Sequence, residues 1–181
     1  MTRQILDWLY LITGWLAGAF LFAIFALMMV MSLGRQFGLN VPAGDDFVAW
    51  CMAASAFLGL AHTFKRGEMI RVGLLFDKLK GRARTAGELV CLLLGVAVIG
   101  YFAWYVVVLA RDSWLFGDVA QGVLPVPLWI PQSAMALGLA TLFVAFVDET
   151  VRVAAGMRPS YAPPDGLTAQ DVVERAAHGG H

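Results

Sequence analysis

The sequence predicts an all-α integral membrane protein with four transmembrane helices, and three observations carry that expectation. Of 181 residues, 60% are hydrophobic and only 14% are charged, whereas a soluble domain carries about 25% charged residues. The mean hydropathy is +0.73. Four long stretches contain no Asp, Glu, Lys or Arg at all. A chain this apolar with a formal net charge of +0 lacks the repulsion that keeps soluble proteins dispersed. The same balance argues against a nucleic-acid partner, which needs a positive face. It argues equally against intrinsic disorder, which needs low hydrophobicity.

The first uncharged stretch is the 27 residues between Asp7 and Arg35. A helix needs about 20 mostly apolar residues to cross the roughly 30 Å hydrocarbon layer, and about 17 at the short end. A span near 12–33 follows. Ala17-Gly18-Ala19 resembles a signal-peptide cleavage site, but the apolar run continues to Leu33, which favours an uncleaved span. Residues 2–9 form an amphipathic lead-in.

The second stretch, FVAWCMAASAFLGLAHTF, has 18 residues between Asp46 and Lys65 and is rich in alanine. It crosses near 45–64 if its ends lie at the interfaces; a re-entrant segment is the alternative. The third has 22 residues between Glu88 and Arg111 and predicts a span near 88–110. The fourth has 29 between Asp118 and Asp148 but contains Pro125, Pro127 and Pro131. Proline removes an amide donor and clashes with the preceding turn. The span is therefore expected near 128–149, with Pro131 in its first turn and GVLPVPLWIP as an extended approach. Trp8, Trp50, Trp114 and Trp129 fall near predicted helix ends, where indole rings favour the headgroup level.

With four spans, the N-terminus, the 65–87 connection and the tail share one side, which holds 11 of the 13 basic residues. Only Arg35 and Arg111 are on the other. The positive-inside rule then makes both termini cytoplasmic. Residues 1–157 form the four-helix membrane domain and 158–181 a cytoplasmic tail. Within the 65–87 connection, Met69, Val72, Phe76 and Leu79 share a helical face while Arg71 and Lys78 lie elsewhere. That pattern fits an amphipathic helix lying on membrane lipid between spans 2 and 3; a basic hairpin loop is the alternative. In the tail, RPSYAPPDGL reads as a turn-rich linker. A short helix from Thr168 to Ala177 follows, capped by Thr168 with Asp171 three residues on. The closing HGGH reads as frayed.

No constellation for chemistry emerges. His62 is the one histidine near a span, so a bis-histidine haem has no second ligand; Thr63 or a headgroup is its expected partner. Cys51 and Cys91 are expected in opposite leaflets, too far apart for a disulfide. They are too few for a zinc or iron–sulfur site. Glu88 and Asp148-Glu149 fall at helix ends, which leaves no acidic residue deep in a span for an ion or proton path. No catalytic, cofactor-binding or metal residue is nominated. What the spans offer is small residues for close helix approach in lipid. Gly14 and Gly18 have GxxxG spacing, and Ser55/Gly59, Ala134/Gly138 and Ala136/Ala140 repeat it. These are candidates for packing within the bundle or for contact with a partner.

Three segments share a further likeness: RQFGLNVPAGDDF after span 1, GLAHTFKRGEMIRVGLLFDKL after span 2 and VPLWIPQSAMALG at the start of span 4. Their order and spacing over residues 10–150 resemble the DctQ-like small membrane subunit of tripartite ATP-independent periplasmic (TRAP) transporters. The resemblance implies a non-catalytic subunit that scaffolds a large multi-span membrane subunit, which carries sodium-coupled translocation. A periplasmic solute-binding protein would deliver an organic acid, C4-dicarboxylates among them. The alternative is the membrane anchor of a cofactor-bearing enzyme complex, in which the partner would supply a further ligand beside His62.

Overall fold

The computed structural model describes residues 2–38, 41–66 and 82–156. Its helices are α1 (Thr2–Gln36), α2 (Gly44–Arg66), α3 (Arg82–Phe116) and α4 (Trp129–Ala154). Each contains a segment long and apolar enough to cross a bilayer: Leu6–Gln36, Gly44–Lys65, Ala86–Phe116 and Trp129–Ala154. The all-helical, four-span class read from the sequence is the observed one. The expected interfacial helix (Arg71, Val72, Phe76, Lys78 and Leu79), the 157/158 boundary and the tail helix lie outside the described residues.

The helices outrun the spans expected from charge-free windows, because backbone hydrogen bonding continues after the first charged residue. The lead-in at residues 2–9 is no separate element but the opening of α1. α3 extends six residues beyond each expected end. α2 starts at Gly44 with Asp45 and Asp46 in its first turn, where carboxylates favour the positive end of the helix dipole. α3 ends at Phe116 and is followed by Gly117, whose φ of +69° suits a residue without Cβ. There the Asp118 N–H donates back to Ser113 O at 3.0 Å. The proline-bearing approach to α4 folds into a short antiparallel ribbon, with Val119 bridged to Pro127. The Leu128 N–H donates to Asp118 O and the Ala120 N–H to Val126 O, at 3.0 and 2.8 Å. α4 then starts at Trp129 with Pro131 in its first turn, where a missing amide proton is harmless.

Across the membrane plane the helices stand in the order α1, α2, α4, α3. α2 packs on α1 and on α4, α3 packs on α4, and α1 touches α4 only slightly. Among the described residues α3 meets neither α1 nor α2. The molecule is an open row rather than a closed bundle. α1 and α2 run antiparallel, with Lys65 beside Asp7 and Ser55 beside Ala17. α2 and α4 run parallel, with Phe57 at Gly138 and Phe64 at Phe146. The core gathers toward the end where α1 begins and α4 finishes. It comprises Tyr10, Ala61, Phe64, Leu92, Leu142, Ala145 and Val153.

Candidate functional site

The chemistry in this protein is that of helix seams. On the α1–α2 seam, Ser55 Oγ donates to the Ala17 carbonyl at 2.9 Å, and a Cβ on Gly59 would rest 3.7 Å from Ala17 Cβ. One turn further, a Cβ on Gly14 would stand 2.8 Å from His62 Nδ1. The bare glycine is what admits the imidazole to α1, where Nδ1 lies 3.2 Å from the Tyr10 carbonyl. A carbonyl only accepts, so Nδ1 carries the proton. This corrects the expected partner of His62: Thr63 spends its hydroxyl on Gly59 O of its own helix, and the ring bonds across to α1. Gly18, by contrast, has nothing within 4 Å of its Cβ position, so the two members of the GxxxG pair face different surroundings.

The α2–α4 seam is close in a different way. A Cβ on Gly138 would lie 2.5 Å from the carbonyl carbon and oxygen of Phe57 and 2.9 Å from Leu58 N. Backbone therefore meets backbone here. Nearby, the Phe64 and Phe146 rings stack with centroids 4.0 Å apart. On the α3–α4 seam Gly95 receives the Phe146 ring and Gly100 the Phe143 ring. Sequence reasoning missed both glycines, because their spacing of five falls outside a search for small residues four apart. The signal was present as two glycines in an otherwise bulky span.

Most hydroxyls in the spans stay on their own helix. Thr141 donates to Leu137 O and Thr150 to Phe146 O, each at 2.7 Å, the usual return bond to the preceding turn. Ser55 is the one that crosses between helices among the described residues.

A polar group closes the end where α1 begins. Lys65 pairs with Asp7, and its ammonium stands 4.5 Å from the centre of the Tyr10 ring. Tyr10 is buried and its hydroxyl has no hydrogen-bond partner among the described residues. Glu149, expected at a helix end, is only 2% exposed, because α4 continues to Ala154 and turns this carboxylate inward. The expectation that no acidic side chain is buried in a span fails there. Helix periodicity carried the signal, since Glu149 stands four residues from both Ala145 and Val153, which are core residues.

At the opposite end a cleft of about 530 Å³ opens between α2 and the ribbon, lined by Asp46, Trp50, Asp118, Gln121 and Leu128 among others. Cys51 and Cys91 are both free thiols, on helices that do not touch. Among the described residues no three or more His, Cys, Asp or Glu side chains cluster as metal ligands would.

Long apolar helices joined by small-residue seams define the chain as a multi-pass membrane protein. A protein-family model described as tripartite ATP-independent periplasmic transporters, DctQ component, matches residues 24–156. That span is well over half of the chain, and the chain belongs to this family as a small membrane subunit of a TRAP transporter. No curated protein sequence matches it significantly.

Proposed function

We propose that this chain is the non-catalytic small subunit of a sodium-coupled, binding-protein-dependent symport system, and that it scaffolds the large translocating subunit. The solute is an organic acid, with C4-dicarboxylates in that class, delivered by a periplasmic binding protein. The family match over 24–156 is the observation that carries the reading. The open row supports it: two central helices hold the unit together while both edges stay available to a larger neighbour. The charges support an inner-membrane orientation with both termini cytoplasmic. Lys65, Arg66, Arg82, Arg84 and Arg152 are at one end of the row, and Arg35 and Arg111 at the other, and basic residues favour the cytoplasmic face. In the same reading, Gly14, Ser55, Gly59 and Gly138 set the internal seams, Gly18 is open to a neighbour, and Arg71, Val72, Phe76, Lys78 and Leu79 rest on the cytoplasmic lipid surface.

The test is radiolabelled uptake in proteoliposomes that contain each combination of this chain, the large subunit and the binding protein. The expected result is solute uptake driven by a sodium gradient, without ATP, only when all three are present. Flux through this chain alone would refute the scaffold role. Full uptake without it would refute its requirement.

A further inference from the structure

We propose that the outer face of α3 around Tyr101, Trp104 and Tyr105 is the surface by which this chain docks on the large membrane subunit. This rests on the function proposed above and names the face that performs it. α3 is the edge of the row and, among the described residues, packs only on α4, with Gly95 and Gly100 at the contact and Leu92 and Ala103 buried on the same face. Its three aromatics point the other way, 61%, 69% and 55% exposed in chain order. The Tyr101 and Tyr105 rings lean on each other, with centroids 4.6 Å apart.

Their depth is what distinguishes them from an interfacial aromatic belt. The midpoint between Glu88 and Arg111, the charges that bracket the span, falls at about residue 100 by helix rise. The packing of Phe143 at Gly100 gives a second measure. α4 runs antiparallel to α3, so Gly138, in the middle of the uncharged part of α4, stands level with about residue 105. All three aromatics lie between or beside these limits, within about 8 Å of the bilayer centre, whereas the headgroup boundary is about 15 Å away. Tyrosine and tryptophan favour that boundary because their polar tips need water or headgroups. Among the described residues neither tyrosine hydroxyl nor the indole N–H has a hydrogen-bond partner. Acyl chains offer no acceptor at this depth, whereas a neighbouring transmembrane helix does, through Ser, Thr or Asn side chains or backbone freed at a helix break.

The other edge carries fewer polar tips. From Leu16 to Val30 the exposed side chains of α1, including Leu21, Phe22, Phe25 and Met28, are hydrocarbon or thioether, which suits lipid. Trp15 is the one indole on that edge near the centre. A second copy of this chain is the poorer occupant of the α3 face. A two-fold axis along the membrane normal would set Trp104 and both tyrosines against the same bulky rings at the same height. Close helix approach calls for small residues opposite large ones.

The test places p-benzoylphenylalanine at Trp104 and, separately, at Phe22, in the chain assembled with the large subunit in native-lipid nanodiscs. Irradiation is expected to join Trp104, and not Phe22, to the large subunit. The double variant Tyr101→Phe/Tyr105→Phe, which keeps both rings, should loosen the large subunit about tenfold, the effect of losing hydrogen bonds of ordinary intramembrane strength. An adduct between two copies of this chain at Trp104 overturns the choice of occupant. A complex that keeps the large subunit yet gives no adduct at Trp104 overturns the α3 face and leaves the proposed function standing. Failure of the two subunits to co-purify overturns both.

Discussion

Replacing Gly138 by Ala tests whether the α2–α4 seam is set by backbone contact. The new methyl carbon would lie 2.5 Å from Phe57 C and O, where ordinary contact begins at 3.4 Å. The helices must therefore separate by about 1 Å in an interior that is close-packed. Both opposing groups are backbone, so no rotamer change relieves the overlap. Overpacking of this kind costs about 1–3 kcal/mol, offset by about 1 kcal/mol from the better helix propensity of alanine. Gly18→Ala is the matched control, because it gains the same propensity and meets nothing within 4 Å. The two variants should then differ by about 1–3 kcal/mol, on the order of 5- to 150-fold in the unfolding equilibrium. Reversible unfolding in mixed micelles of dodecyl sulfate and dodecyl maltoside, followed by ellipticity and tryptophan fluorescence, measures that difference. Variants equal to within about 0.5 kcal/mol, the usual spread for substitutions that touch nothing, would refute a backbone-limited seam.

The same assay checks the remaining contacts. Ser55→Ala should destabilise by about 0.6 kcal/mol and by no more than about 1.7, the range measured for hydrogen bonds between membrane helices. Gly14→Ala should destabilise the native chain but be tolerated in a His62→Ala background, because the imidazole is the atom group it strikes. A double-mutant cycle should return coupling of about 0.5–3 kcal/mol, and strict additivity would disprove the contact. Gly95→Ala should cost less than Gly138→Ala, since the Phe146 ring can turn where a backbone cannot. Asp7→Asn should change stability by about 1 kcal/mol at most, because the pair with Lys65 is partly solvated, and the change should shrink in high salt.

The class of fold was legible because lipid imposes one constraint on every span, an unbroken run without charge, and four such runs stand plainly in the chain. Their ends were less legible. Arg82, Glu88 and Asp112 are compatible with helix once the backbone leaves the hydrocarbon, so windows bounded by charge stop short of α3 at both ends. The row order was not legible at all. It depends on which faces meet, and an apolar face that meets lipid is composed like one that meets protein. Small residues narrow the choice without deciding it: Gly138 meets the Phe57 backbone, Gly14 meets a side chain, and Gly18 meets neither. Glu149 shows the opposite error, in which a charge beside Asp148 reads as the end of a span although its place in the helical repeat points inward.

The open row follows from the same physics. In water, four amphipathic helices close around a core because exposing apolar surface to solvent is unfavourable. In lipid that force between helices is absent, and association depends on how closely two surfaces fit and on the bonds between them. α2 and α4 fit through Gly138, α1 and α2 through Gly14, Ala17 and Ser55, and α3 and α4 through two glycine notches filled by phenylalanine rings. Among the described residues nothing comparable joins α1 to α3 and draws the ends of the row together. Each edge helix spends one face on its neighbour and keeps the rest. An arrangement with two free edges is stable in a bilayer only if those edges suit lipid or another protein. On α1 the exposed side chains from Leu16 onward suit lipid. On α3 the polar tips of Tyr101, Trp104 and Tyr105 do not, which is why the proposed docking of a larger membrane partner falls on that edge.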